Sequence, residues 1–395
     1  MTAPSRPTLS AALDGCTLVI AVDRRSGELS AALERHGATV RLAPALTIVP
    51  HIDDEALIAR TVELIADPPD IVVATTGVGF RGWIEAADEA GLADELLSAL
   101  AGAQLVARGP KARGAIQQVG LTADWVAESE TSAELGEFLL AEGVEGRRIA
   151  VQHHGSGADG LDELFAAHGA DVVSLTVYRW GPPPDAAAVA RSVLAAAAGE
   201  VDAVLFTSAP GASEWFAAAE RENALERIQS LARARRLLIA AVGPVTAGPA
   251  HAVGIDPLVP DRGRLGSLVR SVVTYFGGGH APALLTSAGR LELRSGGVVL
   301  DGRFIPLSRT GCDLLATLFA ARGGVVSRVQ MQAALPRSGE NTHAIEMAIA
   351  RVREALDVPD LIRTVVKRGY RLDVLDEDEV VRERSQLAVG RLEGQ

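Results

Sequence analysis

The stretch IVVATTGVGFRGW at residues 71–83 decides the fold, because the chain repeats it as AVLFTSAPGASEW at residues 203–215, an offset of 132. Each copy reads as a short buried strand (71–75 and 203–207) running into a helix (79–90 and 211–221). At the same offset, HGATV at 36–40 matches HGADV at 168–172. Slightly later, Gly109, Gly114 and Gly120 match Gly243, Gly248 and Gly254. Blocks in one order with nearly constant spacing indicate an internal duplication.

Working outward, residues 18–22 and 149–152 read as further short strands, and 28–36 and 160–168 as amphipathic helices. Strands alternating with helices imply parallel sheets covered on both faces. The expected fold class is therefore α/β: two duplicated lobes with parallel sheets and an inter-lobe cleft. The periodicity changes after Tyr275. GGGHAP at 277–282 reads as a flexible connector. Short strands follow at 290–294, 298–300 and 303–306, with Asp301-Gly302 as a turn. Three helices come next, at 308–322, 327–335 and 342–356, and residues 361–372 close as a hairpin. This order is that of a winged helix-turn-helix. The charged tail, 375–395, receives no role.

The 395 residues are too many for one ordinary domain. No apolar run approaches the ~20 residues that span a bilayer, so no membrane partner is expected. The first ten residues lack a signal-peptide core. The two cysteines, Cys16 and Cys312, are far apart, which disfavours a disulfide framework or zinc site and fits the cytoplasm. Net charge is −12, yet residues 284–374 hold 13 basic and 9 acidic side chains. The basic surplus is thus confined to the C-terminal module, and the acidic remainder would restrict DNA to it.

In that module, Ile345, Ala348, Ile349, Val352 and Leu356 share one face of the third helix. The opposite face presents His343, Met347 and Ala350, flanked by Arg351, with Arg353 at the core boundary. Such a helix fits a major groove. The hairpin carries Arg363, Lys367, Arg368 and Arg371 with no acid among them, a basic edge for phosphates or the minor groove. The expected DNA-contacting set is His343, Met347, Ala350, Arg351, Arg353, Thr364, Lys367 and Arg368. PLSRTGCDLL at 306–315, GVVSR at 324–328 and LIRTVVKRGYRL at 361–372 resemble the OmpR/PhoB-type effector domain of response regulators over residues 284–374. That resemblance implies double-stranded DNA as partner and a homodimer on it. The recognition helix departs from the family pattern: Ala348 and Ala350 stand where polar or basic residues are common.

LVIAVDR at 18–24, GADVVSLTVYR at 169–179, VLFTS at 204–208 and VGPVTA at 242–247 resemble uroporphyrinogen-III synthase, over residues 14–275. The resemblance implies lobe A from about 14–49 with 179–275, lobe B from about 50–176, a linker at 276–283 and no metal or organic cofactor. It also implies a linear tetrapyrrole substrate, hydroxymethylbilane, closed with loss of water. The turns holding Thr76 and Gly79, and Ser208 and Gly211, join strands to helix N-termini, where amides and the helix dipole favour anions. Such turns are also ordinary α/β architecture. Lys111 and Arg113, with Arg81 and Arg24, could add charge. By resemblance, Tyr178 is the proton donor and Thr246 holds a substrate carboxylate. Ala112 stands where the family often has the counterpart of Thr246, which argues for lost rather than kept synthase activity. His153-His154 tempts a metal reading, but the sequence suggests no acidic or Cys partner, so a polar loop is expected.

Asp23 is followed by Arg24 and Arg25 rather than by a second acid, so a phospho-receiver is not expected. The expected function is a DNA-binding transcriptional regulator whose synthase-like domain senses a small anionic ligand, a tetrapyrrole or another. The alternatives are a bifunctional synthase fused to a DNA-binding domain, and a protein-interaction scaffold.

Overall fold

A computed structural model describes residues 11–22, 26–50, 55–153, 159–333 and 342–375. Arg24, His154 and the tail beyond 375, all considered above, lie outside the described residues. The chain runs through β1 (Thr17–Ile20), α1 (Ser26–Glu34), β2 (Thr39–Leu42), β3 (Thr47–Pro50), α2 (Glu55–Ala66), β4 (Ile71–Ala74), α3 (Gly77–Glu89), α4 (Ala93–Ala101) and β5 (Gln104–Ala107). It continues with α5 (Pro110–Gln118), β6 (Trp125–Val126), α6 (Ser132–Glu142), β7 (Arg148–His153), α7 (Leu161–Ala167), β8 (Asp171–Thr176) and β9 (Tyr178–Gly181). Then come α8 (Ala186–Ala197), β10 (Ala203–Phe206), α9 (Ala209–Arg221), α10 (Leu225–Arg233), β11 (Leu238–Ala241), α11 (Pro244–Ala252) and α12 (Leu265–Gly277).

Two compact units result: Thr47–Pro182, and the chain up to Leu46 together with that from Pro183 onward. The first holds a parallel sheet in the order β6-β5-β4-β7-β8 and the antiparallel pair β3-β9, in which Thr47 faces Gly181. The second holds a parallel sheet in the order β11-β10-β1-β2. The central strands are buried along their whole length, as four-residue apolar runs covered on both faces must be.

The duplication extends into hydrogen bonds. Trp83 and Trp215 are wholly buried, and an indole N–H there needs an acceptor. Trp83 donates to Thr61 Oγ1 and Trp215 to Ser192 Oγ, each at 3.0 Å. Those hydroxyls donate back to their own helices, at Leu57 O and Val189 O. Asp70 accepts from Arg148 N at 2.8 Å, and Asp202, its counterpart 132 residues on, accepts from Thr17 N at 2.8 Å. In each unit an aspartate thus joins the start of a neighbouring strand.

The C-terminal module comprises β12 (Ala283–Thr286), β13 (Gly289–Arg294), β14 (Gly297–Leu300), β15 (Arg303–Pro306), α13 (Arg309–Ala320), α14 (Arg328–Ala333), α15 (Thr342–Leu356), β16 (Ile362–Val365) and β17 (Gly369–Leu372). Strands β12 to β15 form an antiparallel meander, and β16 pairs with β17 as the wing. Asp301 (φ 47°) and Gly302 (φ 83°) give the β14–β15 turn the two left-handed residues that a tight hairpin requires. Strand β12 was not expected from the sequence. Its core packs Leu291, Val298 and Ile305 of the meander with Leu314, Leu318, Ile345, Ile349, Val352 and Leu356 of the helices.

The expectation of a flexible connector at 277–282 is corrected. Gly277 completes α12, and the amides of His280 and Ala281 both donate to Tyr275 O. Arg290 then holds the carbonyls of Gly279 and Ala281, at 2.8 and 3.2 Å. The meander is also docked on the β1–β10 sheet within the same unit. Asp202 Oδ1 accepts from Ser295 N at 2.9 Å while Oδ2 keeps Thr17 N. The Ser295 hydroxyl donates to Thr17 Oγ1, and Gly296 N donates to Gly15 O at 2.9 Å. Gly15 must lack a side chain here, because a Cβ would stand 2.0 Å from the Phe304 ring. On α13, Arg309 donates to Ala198 O at 2.6 Å. A glycine-rich composition allows flexibility, but these contacts use up the freedom.

Candidate functional site: a nucleic-acid interface and anion-facing turns

The interface begins with α15. Ile345, Ile349, Val352 and Leu356 are buried, so period 3.6 puts His343, Met347, Ala350 and Arg351 in solvent. Met347 is 44 % exposed, an unusual setting for a large apolar side chain and apt for base-edge contact. The wing tip, 366–368, is exposed, with Lys367 at φ 59°. Gly369 (φ 138°) allows the wing to sit against Val326 O, which a Cβ would meet at 2.0 Å.

The cations divide into two groups. Arg353 donates to Ile362 O at 2.9 and 2.6 Å and to Thr364 Oγ1 at 2.8 Å, and its guanidinium stands 6.0 Å from the Tyr370 ring centroid. It braces the wing on the recognition helix, and Thr364 is the acceptor of that brace. Arg363 is paired with Asp373 at 2.9 Å, and Arg328 with Glu346 at 3.4 Å. Arg351, Lys367, Arg368 and Arg371 have no acidic partner among the described residues. These are the charges available to phosphates.

The strand-to-helix turns considered for anions lie at the carboxyl ends of the parallel strands. Thr76 caps α3, accepting from Gly79 N at 3.0 Å, and Ser208 caps α9, accepting from Gly211 N at 3.3 Å. Both hydroxyls are therefore already engaged in capping. Gly79 is needed for packing, since a Cβ would meet the Gln152 amide. Gly109 and Gly243 begin α5 and α11, each followed by proline and each without a side-chain cap. Thr246 in α11 is buried, as is Ala112 at the matching place in α5. Lys111 and Arg113 are exposed. Tyr178 is 4 % exposed, stacks edge-on with Trp180, and has no hydrogen-bond partner for its hydroxyl among the described residues.

His153 differs from expectation. It is buried at the end of β7, with Asp159 Oδ1 3.2 Å from Nδ1 and Asp162 Oδ1 2.8 Å from Nε2. Sequence reasoning missed these partners, which stand only six and nine residues downstream. Among the described residues no group of three His, Cys, Asp or Glu side chains could hold a metal ion. Burial lowers the imidazole pKa, but the two carboxylates outweigh it and raise it to about 9. A pKa above the unfolded value of about 6.5 stabilises the fold fully below that pH. The stabilisation is lost as pH rises through about 9. The melting temperature of the protein should therefore fall from pH 6.5 to 9, and His153→Gln should flatten that slope. An unchanged slope would remove this pair from the account.

The uroporphyrinogen-III synthase HemD family model matches residues 27–270, and the model for the C-terminal domain of transcriptional regulatory proteins matches 302–372. An uncharacterized Bacillus subtilis protein, YjjA, is 28 % identical over 263 residues, covering 66 % of this chain and 96 % of that protein. A putative uroporphyrinogen-III synthase of Methanothermobacter thermautotrophicus is 27 % identical over 254 residues, covering 64 % and 95 %. A crystal structure of a mutant uroporphyrinogen III synthase from Thermus thermophilus is 30 % identical, with a TM-score of 0.54, covering 65 % of this chain and 97 % of that one. No helix among the described residues is long and apolar enough to cross a membrane.

Proposed function

The chain belongs to the uroporphyrinogen-III synthase HemD family and continues into an OmpR/PhoB-type DNA-binding domain, and we propose that its synthase-like part senses a small anionic ligand and controls DNA binding by a homodimer. The protein is a DNA-binding regulator. The observation that carries the proposed control is the docking of the β12–β15 meander on the synthase-like part through Asp202 and Ser295. A ligand that shifts the synthase-like part between two states then has a physical contact through which to act. A freely tethered DNA-binding domain would offer none. Ala112 in place of a hydroxyl-bearing residue supports sensing over turnover. The cytoplasm is the compartment this reading requires.

The test is a DNA titration of the full-length protein with and without tetrapyrrole carboxylates, nitrite or nitrate. A change in affinity of about 5–150-fold is the expected range for such linkage, and DNA should change ligand affinity by the same factor. Two chains per operator should bind. Affinity indifferent to every anion, or one chain per operator, would count against sensing or dimerisation respectively.

A further inference from the structure

Helix α15 turns four side chains into the core, Ile345, Ile349, Val352 and Leu356, none more than 3 % exposed. At about 3.6 residues per turn, Met347 points most directly away from that stripe. His343 and Ala350 stand on one side of it, Arg351 on the other, and Glu354 follows about two turns on. All five are exposed. Glu346, the exposed acid just before Met347, is tied to Arg328 of α14 at 3.4 Å. Polar heads thus mark both ends of the outward face, and its middle is a thioether chain and a methyl group.

The neighbouring helix carries the same character. Among the described residues of α13, α14 and α15, the large apolar side chains left exposed are Val329 at 76 % and Met347 at 44 %. Val329 stands on the side of α14 away from the buried Met331. Its neighbour Arg328 holds Glu346, the neighbour of Met347, so the ion pair joins α14 to α15 beside both apolar side chains. In the major groove every base pair shows donors and acceptors, but only thymine shows a hydrocarbon group, its C5-methyl. Alanine has no side-chain donor or acceptor, and a thioether is a weak acceptor only. An unbranched, polarisable methionine adapts its shape to an irregular apolar surface. Overall affinity does not depend on this face. Arg351, Lys367, Arg368 and Arg371 have no acidic partner among the described residues and are available to phosphates. We infer that Met347, with Ala350 beside it, reads thymine through C5-methyl groups, so that the centre of α15 selects its base by apolar contact rather than by hydrogen bonds. This rests on the DNA-binding domain alone, not on sensing by the synthase-like part.

The test selects preferred duplexes from a randomised pool with the full-length protein, then replaces each thymine in turn with uracil. Uracil pairs as thymine does and keeps the O4 acceptor, but lacks the methyl. At one or two positions the exchange should weaken binding about fourfold, the worth of one buried CH₂ group. Met347→Ala should weaken binding to the thymine duplex and leave the uracil duplex nearly unchanged, which erases the difference. Met347→Gln, of similar length, should move the preference at that position from thymine to adenine, whose N6 and N7 a glutamine amide can contact together. Lys367→Ala supplies the contrast: it should make the salt dependence shallower and keep the thymine–uracil difference. Because Met347 is exposed, these variants change the outward face and not the core. Selected duplexes that share no thymine, no penalty from uracil at any position, or a penalty that survives Met347→Ala would each overturn methyl readout. Tight wild-type binding to the selected duplex would in every one of those cases leave the DNA-binding domain itself standing.

Discussion

Replacing both Lys367 and Arg368 with alanine should cost the protein most of its DNA affinity at physiological salt, by a similar factor for every sequence tested. Both side chains are at the exposed wing tip, and neither has an acidic partner among the described residues. A free cation at a phosphate releases a counterion, so the logarithm of affinity falls against the logarithm of salt by about 0.9 for each contact on a duplex. Removing both should make the slope shallower by roughly two units and weaken binding by about ten- to a hundredfold at 0.15 M salt. Arg363 supplies an internal comparison, because Asp373 already holds it at 2.9 Å. Arg363→Ala should change the slope less than either wing-tip residue. Arg353→Ala should also weaken binding, by releasing the wing from α15 rather than by removing a phosphate contact. A double variant that binds with the wild-type slope would place the DNA elsewhere.

The repeat was legible because it preserves residues with physical jobs: a capping hydroxyl, a close-packed glycine and a buried tryptophan at fixed intervals. Its less conspicuous members escaped. Thr61 and Ser192, 131 residues apart, take the tryptophan N–H groups, and Asp70 and Asp202 tie neighbouring strands. Short polar residues in helices and at strand ends carry no periodic signal, although the offset of 132 does pair Asp70 with Asp202. The buried face of α15 followed from period 3.6, since nothing but the helix is needed to define it. The brace formed by Arg353 was not visible, because its acceptors lie on the wing. Composition misread the 277–282 connector for the same reason: it reports what a glycine run permits, not what docks against it.

Asp202→Ala should destabilise the protein by about 2–4 kcal/mol and release the DNA-binding domain from the synthase-like part. Asp202 is 7 % exposed and serves two partners at once, Thr17 N within the β1–β10 sheet and Ser295 N from the meander. Burial raises its pKa, opposed first by the Ser295 hydroxyl and then by the Thr17 amide and Arg294. Deleting the carboxylate relieves its desolvation but strands Ser295 N, at a cost of about 1–3 kcal/mol, and leaves Thr17 N only the Ser295 hydroxyl at 3.1 Å, at a further cost of about 1 kcal/mol. The repeat offers the control. Asp70 holds Arg148 N in the same way, but its side chain is exposed and the Arg148 amide can turn to water. Asp70→Ala should therefore cost about 1 kcal/mol or less. Ser295→Ala keeps its amide on Asp202 and loses the hydroxyl contacts to Thr17 N, Thr17 Oγ1 and Gly15 O, so it should fall between the two. Denaturant melts rank the variants, and limited proteolysis at 278–282 reports undocking, since the bonds to Arg290 and to Tyr275 O would then hold that turn without the docked meander behind it. In Asp202→Ala the DNA affinity should approach that of an untethered domain, and under the proposed sensing any response to anions should be lost. Equal melts for Asp202→Ala and Asp70→Ala, with the 278–282 turn still protected, would mean that the meander is held mainly by Gly15, Phe304 and Arg309, and that Asp202 is not the contact through which control passes.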